Sequence, residues 1–192
     1  GANIECNEKN LIDFSIMGSA LSKTLFNINS PKVALLNVGL EENKGHDIIK
    51  KTFNILKNNK NNNFNFCGNI EGNQIMNGEI DVIVTDGFTG NVALKTAEGT
   101  ANFITKNFKK SLNKFSMLFS YSGLKQFSKK LDPRKYNGAI LLGLQGPVVK
   151  SHGSTDALGF AHSIEMCSKI VKSNLIEKIK THLIDVDQGS KQ

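Results

Sequence analysis

The chain has 192 residues, 39% of them hydrophobic and 21% charged, the make-up of one globular domain or most of one. No apolar run reaches the roughly 18 residues of a membrane span, which excludes a transmembrane-helix class, and no signal peptide is visible. The net charge of +7 points to acidic partners, whether an acidic protein, an anionic membrane or nucleic acid.

Lysines scattered among the asparagines of Lys57 to Asn63 read as a surface loop. No stacking motif accompanies them, so nucleic acid is set aside. Cys6, Cys67 and Cys167 are odd in number and far apart. They form neither a disulfide framework nor a zinc spacing, which fits a reducing, cytoplasmic setting and no metal. Cys67 lies in an apolar run and reads as a small buried hydrophobe.

In chain order, Glu8 to Phe26 is predicted helical, with Leu11, Phe14, Gly18, Leu21 and Leu25 at helical spacing. Gly18 on that stripe implies close packing against another element, and Asn29-Ser30-Pro31 ends the helix. Val33 to Val38 is continuously apolar, the pattern of a parallel strand covered on both faces. Asp47 to Leu56 is a helix, Phe64 to Ile70 a strand, and Glu71 to Asn77 a connector or helical turn. Val82-Ile83-Val84 is a third strand, followed by the glycine loop Asp86 to Asn91 and a helix from Asn91 to about Phe108.

Residues 103–131 interleave phenylalanines and leucines with seven lysines. Phe108, Leu112, Phe115 and Phe119 share one helical face, and Ser122-Gly123 allows a bend. This basic amphipathic hairpin suits either an anionic membrane surface or packing in a dimer. Ala139 to Leu142 and Val148-Val149 are short strands around the loop Gly143 to Pro147. Lys150 to Thr155 joins them to a long helix with Phe160, Ile164, Cys167, Val171 and Ile179 near one face. Strands alternating with helices argue for an α/β layered fold with a mostly parallel sheet and helices on both faces.

Two strand-to-helix junctions, Asp86 to Asn91 and Lys150 to Thr155, are expected along one carboxyl edge of the sheet. Glycines there permit close approach, and helix N-termini favour phosphate-bearing ligands. The competing reading of the first junction is an ordinary turn capped by Asn91.

The motifs are Gly1-Ala2-Asn3, Leu36-Asn37-Val38-Gly39 with Lys44-Gly45, Asn69-Ile70-Glu71-Gly72, Asp86 through Lys95, and Gly143 through Ser154. In this order they resemble the bacterial phosphate acyltransferases that act on acyl-carrier-protein thioesters. The resemblance implies a fold similar to phosphate acetyltransferases and the isocitrate-dehydrogenase-like group. It covers nearly the whole chain and corresponds to the family's C-terminal portion, so with a start at Gly1 the N-terminal portion is expected to be missing.

The implied reaction moves a fatty acyl group to inorganic phosphate, giving acyl phosphate for phospholipid synthesis without cofactor or metal. The implied setting is a cytoplasmic homodimer that meets acyl carrier protein and associates peripherally with the membrane. Short-chain acyl transfer from coenzyme A, or a non-catalytic carrier-protein or membrane-docking module, are the alternatives.

The site assignments follow from these motifs. Asp86, Asn91, Lys95 and His152 are the candidate catalytic residues. Asn3, Gly87, Thr89, Gly90, Lys150, Ser151, Gly153 and Ser154 are the candidate phosphate or substrate contacts. Lys44 is a further candidate, while His46, His162 and His182 read as surface residues. Thr155-Asp156 departs from the Ser-Asn pair expected in relatives, at the edge of the second loop.

Overall fold

The computed structural model describes residues 3–58, 64–111, 138–151, 153 and 155–189. The chain enters its first helix through a reciprocal cap. Asn7 Oδ1 accepts from the Asn10 backbone N–H at 2.9 Å, and Asn10 Oδ1 accepts from the Asn7 N–H at 3.0 Å. Helix α1 then runs Glu8–Phe26, the predicted bounds, and ends at Asn27 in the left-handed conformation with φ 57°.

Strand β1 (Lys32–Leu36), helix α2 (Asp47–Asn58) and strand β2 (Asn65–Ile70) follow. A 3-10 turn (Gly72–Asn77), strand β3 (Val82–Val84) and helix α3 (Gly87–Ser111) come next. Strands β1, β2 and β3 form a parallel three-stranded sheet in the order β2-β1-β3. The central strand is covered on both faces, as its unbroken apolar run predicts.

Alternate side chains of β1 serve different cores. Val33 and Leu35 pack with Leu11 and Ile16 of α1 and with Phe53 and Leu56 of α2. Ala34 and Leu36 pack with Ile70, against Ile75 of the 3-10 turn and Ala93 of α3. Each fully buried aliphatic side chain contributes about 1.5–3 kcal/mol, so this short strand anchors both layers. The architecture is α/β, with a small parallel sheet flanked by helices.

Gly18 is a close-packing point, as its place in the apolar stripe implies. A Cβ added there would lie 2.5 Å from Val82 Cγ1 on β3. Serines assist the approach by turning back on their own helix: Ser15 Oγ donates to Leu11 O and Ser19 Oγ to Ile16 O, both at 2.9 Å.

Beyond residue 137, strands β4 (Ala139–Ile140) and β5 (Val149–Lys150) form a separate antiparallel pair. Helices α4 (Ala157–Lys172) and α5 (Leu175–Gly189) complete the described elements. A second core joins Met17 and Ala20 of α1 to Ile170, Leu175 and Ile179.

Several expectations are corrected here. The second junction does not share the carboxyl edge of the parallel sheet, because β5 pairs antiparallel with β4. The long final helix is two, broken at Ser173 and at Asn174, which has a positive φ of 55°. Its expected apolar stripe is mostly outside: Phe160, Ile164 and Val171 are exposed, whereas Gly159, Ser163 and Ile170 are buried.

Close contact explains that rotation. At Gly138, φ +117°, a Cβ would meet Ser163 Oγ at 3.2 Å and Val149 Cγ1 at 2.9 Å, so small residues let α4 sit on the hairpin. Cys67 is exposed rather than buried, on the outer strand β2. Of the amphipathic face, Phe108 has its backbone in α3; its side chain, and Leu112, Phe115 and Phe119, lie outside the described residues.

Candidate functional site

Three parallel strands ending together bring three loops to one edge of the sheet. They are Asn37 to Gly45 after β1, Glu71-Gly72 after β2, and Asp86-Gly87 after β3. The first is tied down by Asn37, whose N–H donates to Ile70 O at 2.9 Å and whose Nδ2 donates to Lys44 O at 3.1 Å. Asn69 Nδ2 donates to Glu41 O at 3.1 Å, while the buried Asn69 Oδ1 has no partner among the described residues. Lys44 is exposed at this rim.

The glycine stretch after β3 is not a loop but the first turn of α3, which starts at Gly87 instead of Asn91. Asp86 caps it. Asp86 Oδ1 accepts from the Thr89 N–H at 2.8 Å and Asp86 Oδ2 from the Thr89 hydroxyl at 2.7 Å. Burial raises the Asp86 carboxyl. The Thr89 N–H and hydroxyl and the N–H groups of Asp86 and Phe88 together outweigh that effect and hold it below the usual range.

The backbone donors of this turn are therefore engaged within the chain. Gly87 N–H donates to Asn3 O at 2.7 Å, Thr89 N–H to the Asp86 carboxylate, and Gly90 N–H to Asp86 O at 3.0 Å. The N–H cradle expected for phosphate at Gly87, Thr89 and Gly90 is filled by the cap and by Asn3. The cationic and amide groups beside it are on side chains: Asn91 is exposed, and Lys95 is exposed with its Nζ 2.7 Å from Glu98 Oε2. Gly90 is required for contact with the preceding strand end, since a Cβ there would lie 2.9 Å from Thr85 Cγ2.

The N-terminal segment belongs to the same cluster. Asn3 reaches it through its carbonyl, and Cys6 Sγ lies 3.5 Å from that oxygen. Burial pushes the Cys6 thiol up; the Gly87 backbone opposes and the Asp86 charge adds to the rise, so the net effect is upward and the sulfur stays protonated. Nothing in the spacing of the three cysteines marked Cys6 as a neighbour of Asp86.

The second junction leaves β5 at Lys150, which is exposed, and passes half-buried Ser151, exposed Gly153 and half-buried Thr155. His152 and Ser154 lie outside the described residues. The following helix begins at Ala157, capped by Asp156 Oδ1 accepting from the Gly159 N–H at 2.9 Å. Ser151 and Gly153 thus belong to a connector and not to a helix start. The two junctions stand on separate sheets, both packed against α1.

Of the other histidines, His46 is exposed and His162 Nδ1 faces Glu165 at 3.7 Å, while the side chain of His182 lies outside the described residues. Among the described residues no cluster of three or more potential ligands could hold a metal ion. Among them, too, no helix is long and apolar enough to cross a membrane.

Comparison with known proteins agrees with the motifs. Residues 1–178 match the model of a family described as fatty acid synthesis protein. A phosphate acyltransferase of Pelagibacter ubique is 58% identical over 188 residues, covering 95% of this chain and 56% of that protein. Phosphate acyltransferases of Rhodospirillum centenum and Thermotoga neapolitana are 47% and 45% identical, over 95% and 94% of this chain and 53% and 56% of their own lengths. The chain spans about half the length of the curated relatives it matches. A shared motif order, a match over most of its length and this level of identity establish that the chain belongs to the fatty acid synthesis protein family.

Proposed function

We propose that this chain takes part in transfer of a fatty acyl group from an acyl-carrier-protein thioester to inorganic phosphate, giving acyl phosphate for phospholipid synthesis. The observation that carries the reading is 58% identity to a phosphate acyltransferase across 95% of the chain. The Asp86 to Lys95 turn at the carboxyl edge of a parallel sheet is where such folds hold anions. We take the sheet as the core of a phosphate-acetyltransferase-like fold, and the chain as the C-terminal portion of the enzyme.

Phosphate is an oxygen nucleophile at neutral pH, so the protein has to position it against the thioester carbonyl. A phosphate oxygen attacks the carbonyl carbon, the oxyanion is stabilised by hydrogen-bond donors, and the C–S bond breaks to release the carrier thiolate. Side-chain donors Asn91 and Lys95, with Lys150 and Ser151, hold the phosphate. Asn3, Gly87, Thr89 and Gly90 form one wall, and Gly153 and Ser154 the other. Asp86 keeps the turn in shape, and His152 protonates the leaving thiolate.

The working form is a cytoplasmic homodimer with a lysine-rich face toward the acidic carrier protein and anionic lipid. Exposed Phe103 and Ile104 beside Lys106 on α3 support such a docking face.

The test is an acyl phosphate assay on the full chain. Asn91→Ala and His152→Ala should each lower the rate about tenfold or more; full rate in both removes the site. Competition between carrier-protein and coenzyme A thioesters separates the long-chain from the short-chain reading.

A further inference from the structure

The structure carries an apolar pocket that the site above does not use. It lies between the Gly143 to Pro147 loop and the helices α4 and α5, with a volume of about 90 Å³. Leu142, Leu144 and Pro147 form one wall, and Ile170, Ile176 and Ile179 the other. We propose that this pocket holds part of the acyl chain of the substrate, an assignment that rests on the acyl-transfer reading and specifies its ligand.

Three observations support an unbranched hydrocarbon as occupant. First, the loop that forms one wall is seated by a glycine and leaves apolar side chains exposed. Gly143, φ +83°, seats the loop on α1, where a Cβ would be 3.4 Å from Met17 Sδ. Leu144 and Val148 remain 47% and 40% exposed although Ile170 and Ile179 beneath them are buried. Exposed apolar side chains around a concavity favour an apolar ligand.

Second, among the described residues of the lining the only charged group is Lys180, whose Nζ is 2.7 Å from Glu177 Oε1. A ligand inside therefore meets hydrocarbon, with an ion pair at the rim. Third, the wall runs into the candidate site. Pro147 precedes Lys150 by three residues, roughly 10 Å at the rise of an extended strand.

Size sets what can enter. A dry cavity of about 150 Å³ admits a benzene ring, so the smaller volume here takes a few carbons of a chain and not its whole length. Affinity should rise roughly fourfold per methylene until the pocket is filled and then level off.

The experiment measures two quantities on the full chain. One is the ratio of kcat/KM for a long (palmitoyl) to a short (butyryl) thioester with inorganic phosphate. The other is binding of cis-parinaric acid by fluorescence. Leu144→Trp and Ile176→Phe fill the pocket from opposite walls and should each lower the ratio about tenfold and weaken the probe to a similar degree. In an active enzyme, a ratio or a probe affinity that stays within about twofold in both variants overturns the proposal. It would mean that another segment or a second copy covers this face.

Should the wild-type chain transfer no acyl group at all, the acyl-transfer reading fails and the probe alone decides the pocket. Weakened binding in the variants then keeps it a hydrocarbon site, and unchanged binding removes it.

Discussion

Replacing Gly18 by alanine tests the contact between α1 and β3 directly. In an exposed helix the change should stabilise by about 1 kcal/mol, because alanine is the better helix former. Here the new methyl would sit 2.5 Å from Val82 Cγ1, well inside contact distance. Val82 is β-branched, stiff at χ1, and paired with Val33 in the parallel ladder.

Overpacking of that kind costs about 1–3 kcal/mol, so Gly18→Ala should be net destabilising by up to about 2 kcal/mol. Truncating the partner removes the clash: in a Val82→Ala background the same glycine change should stabilise by about 1 kcal/mol. The coupling between the two sites is then about 1–3 kcal/mol, measurable from urea midpoints of the four proteins at constant m value. If Gly18→Ala stabilises the wild-type chain as much as the Val82→Ala chain, the close approach is refuted.

Asp86→Ala removes the α3 cap and should cost about 1 kcal/mol by urea unfolding, with Asp86→Asn recovering most of it. The folded-state hydrogen bonds depress the Asp86 pKa, so its stabilising contribution is present above the ordinary aspartate value of about 3.9 and is lost as pH falls through the folded value. The wild-type stability between pH 5 and that limit should therefore fall more steeply than that of Asp86→Asn. Gly45→Ala and Gly78→Ala share positive φ values of 83° and 73°, but only at Gly45 would the methyl run into Asn37 Oδ1. Gly45→Ala should lose about 2 kcal/mol or more and Gly78→Ala about 1 kcal/mol, read from thermal midpoints. In liposome flotation, Phe115→Glu with Phe119→Glu should abolish recovery with anionic vesicles, and unchanged flotation removes membrane docking.

What was legible in the chain follows from where local chemistry decides. The bounds of α1 were readable because an apolar period and the stop signal Asn29-Ser30-Pro31 frame it. Val82 to Val84 was readable because nothing else suits three β-branched residues between polar flanks. The start of α3 was missed because two glycines resemble a loop, while the Asp86–Thr89 cap that forces helix from Gly87 is a single hydrogen-bonded pair.

The outward face of α4 was missed for a different reason. Hydrophobicity favours burying Phe160 and Ile164, but at Gly138 the hairpin packs against Ser163, which is buried while both apolar residues are exposed. The pairing of β5 with β4 is likewise tertiary information, since two apolar residues do not reveal the direction of their partner. At the candidate site, the glycine motif located the sheet edge, but the capture of the Gly87 N–H by Asn3 depends on a segment far away in sequence.

The break at Ser173 and Asn174 has a consequence for the order of synthesis. It lets α5 return to α1, so Met17 and Ala20 share a core with Leu175 and Ile179, which are far from them along the chain. Contacts so distant along the polypeptide close late and slowly. A nascent chain emerging from the ribosome would carry a bare α1 surface until α5 arrives, leaving that surface for a chaperone to shield.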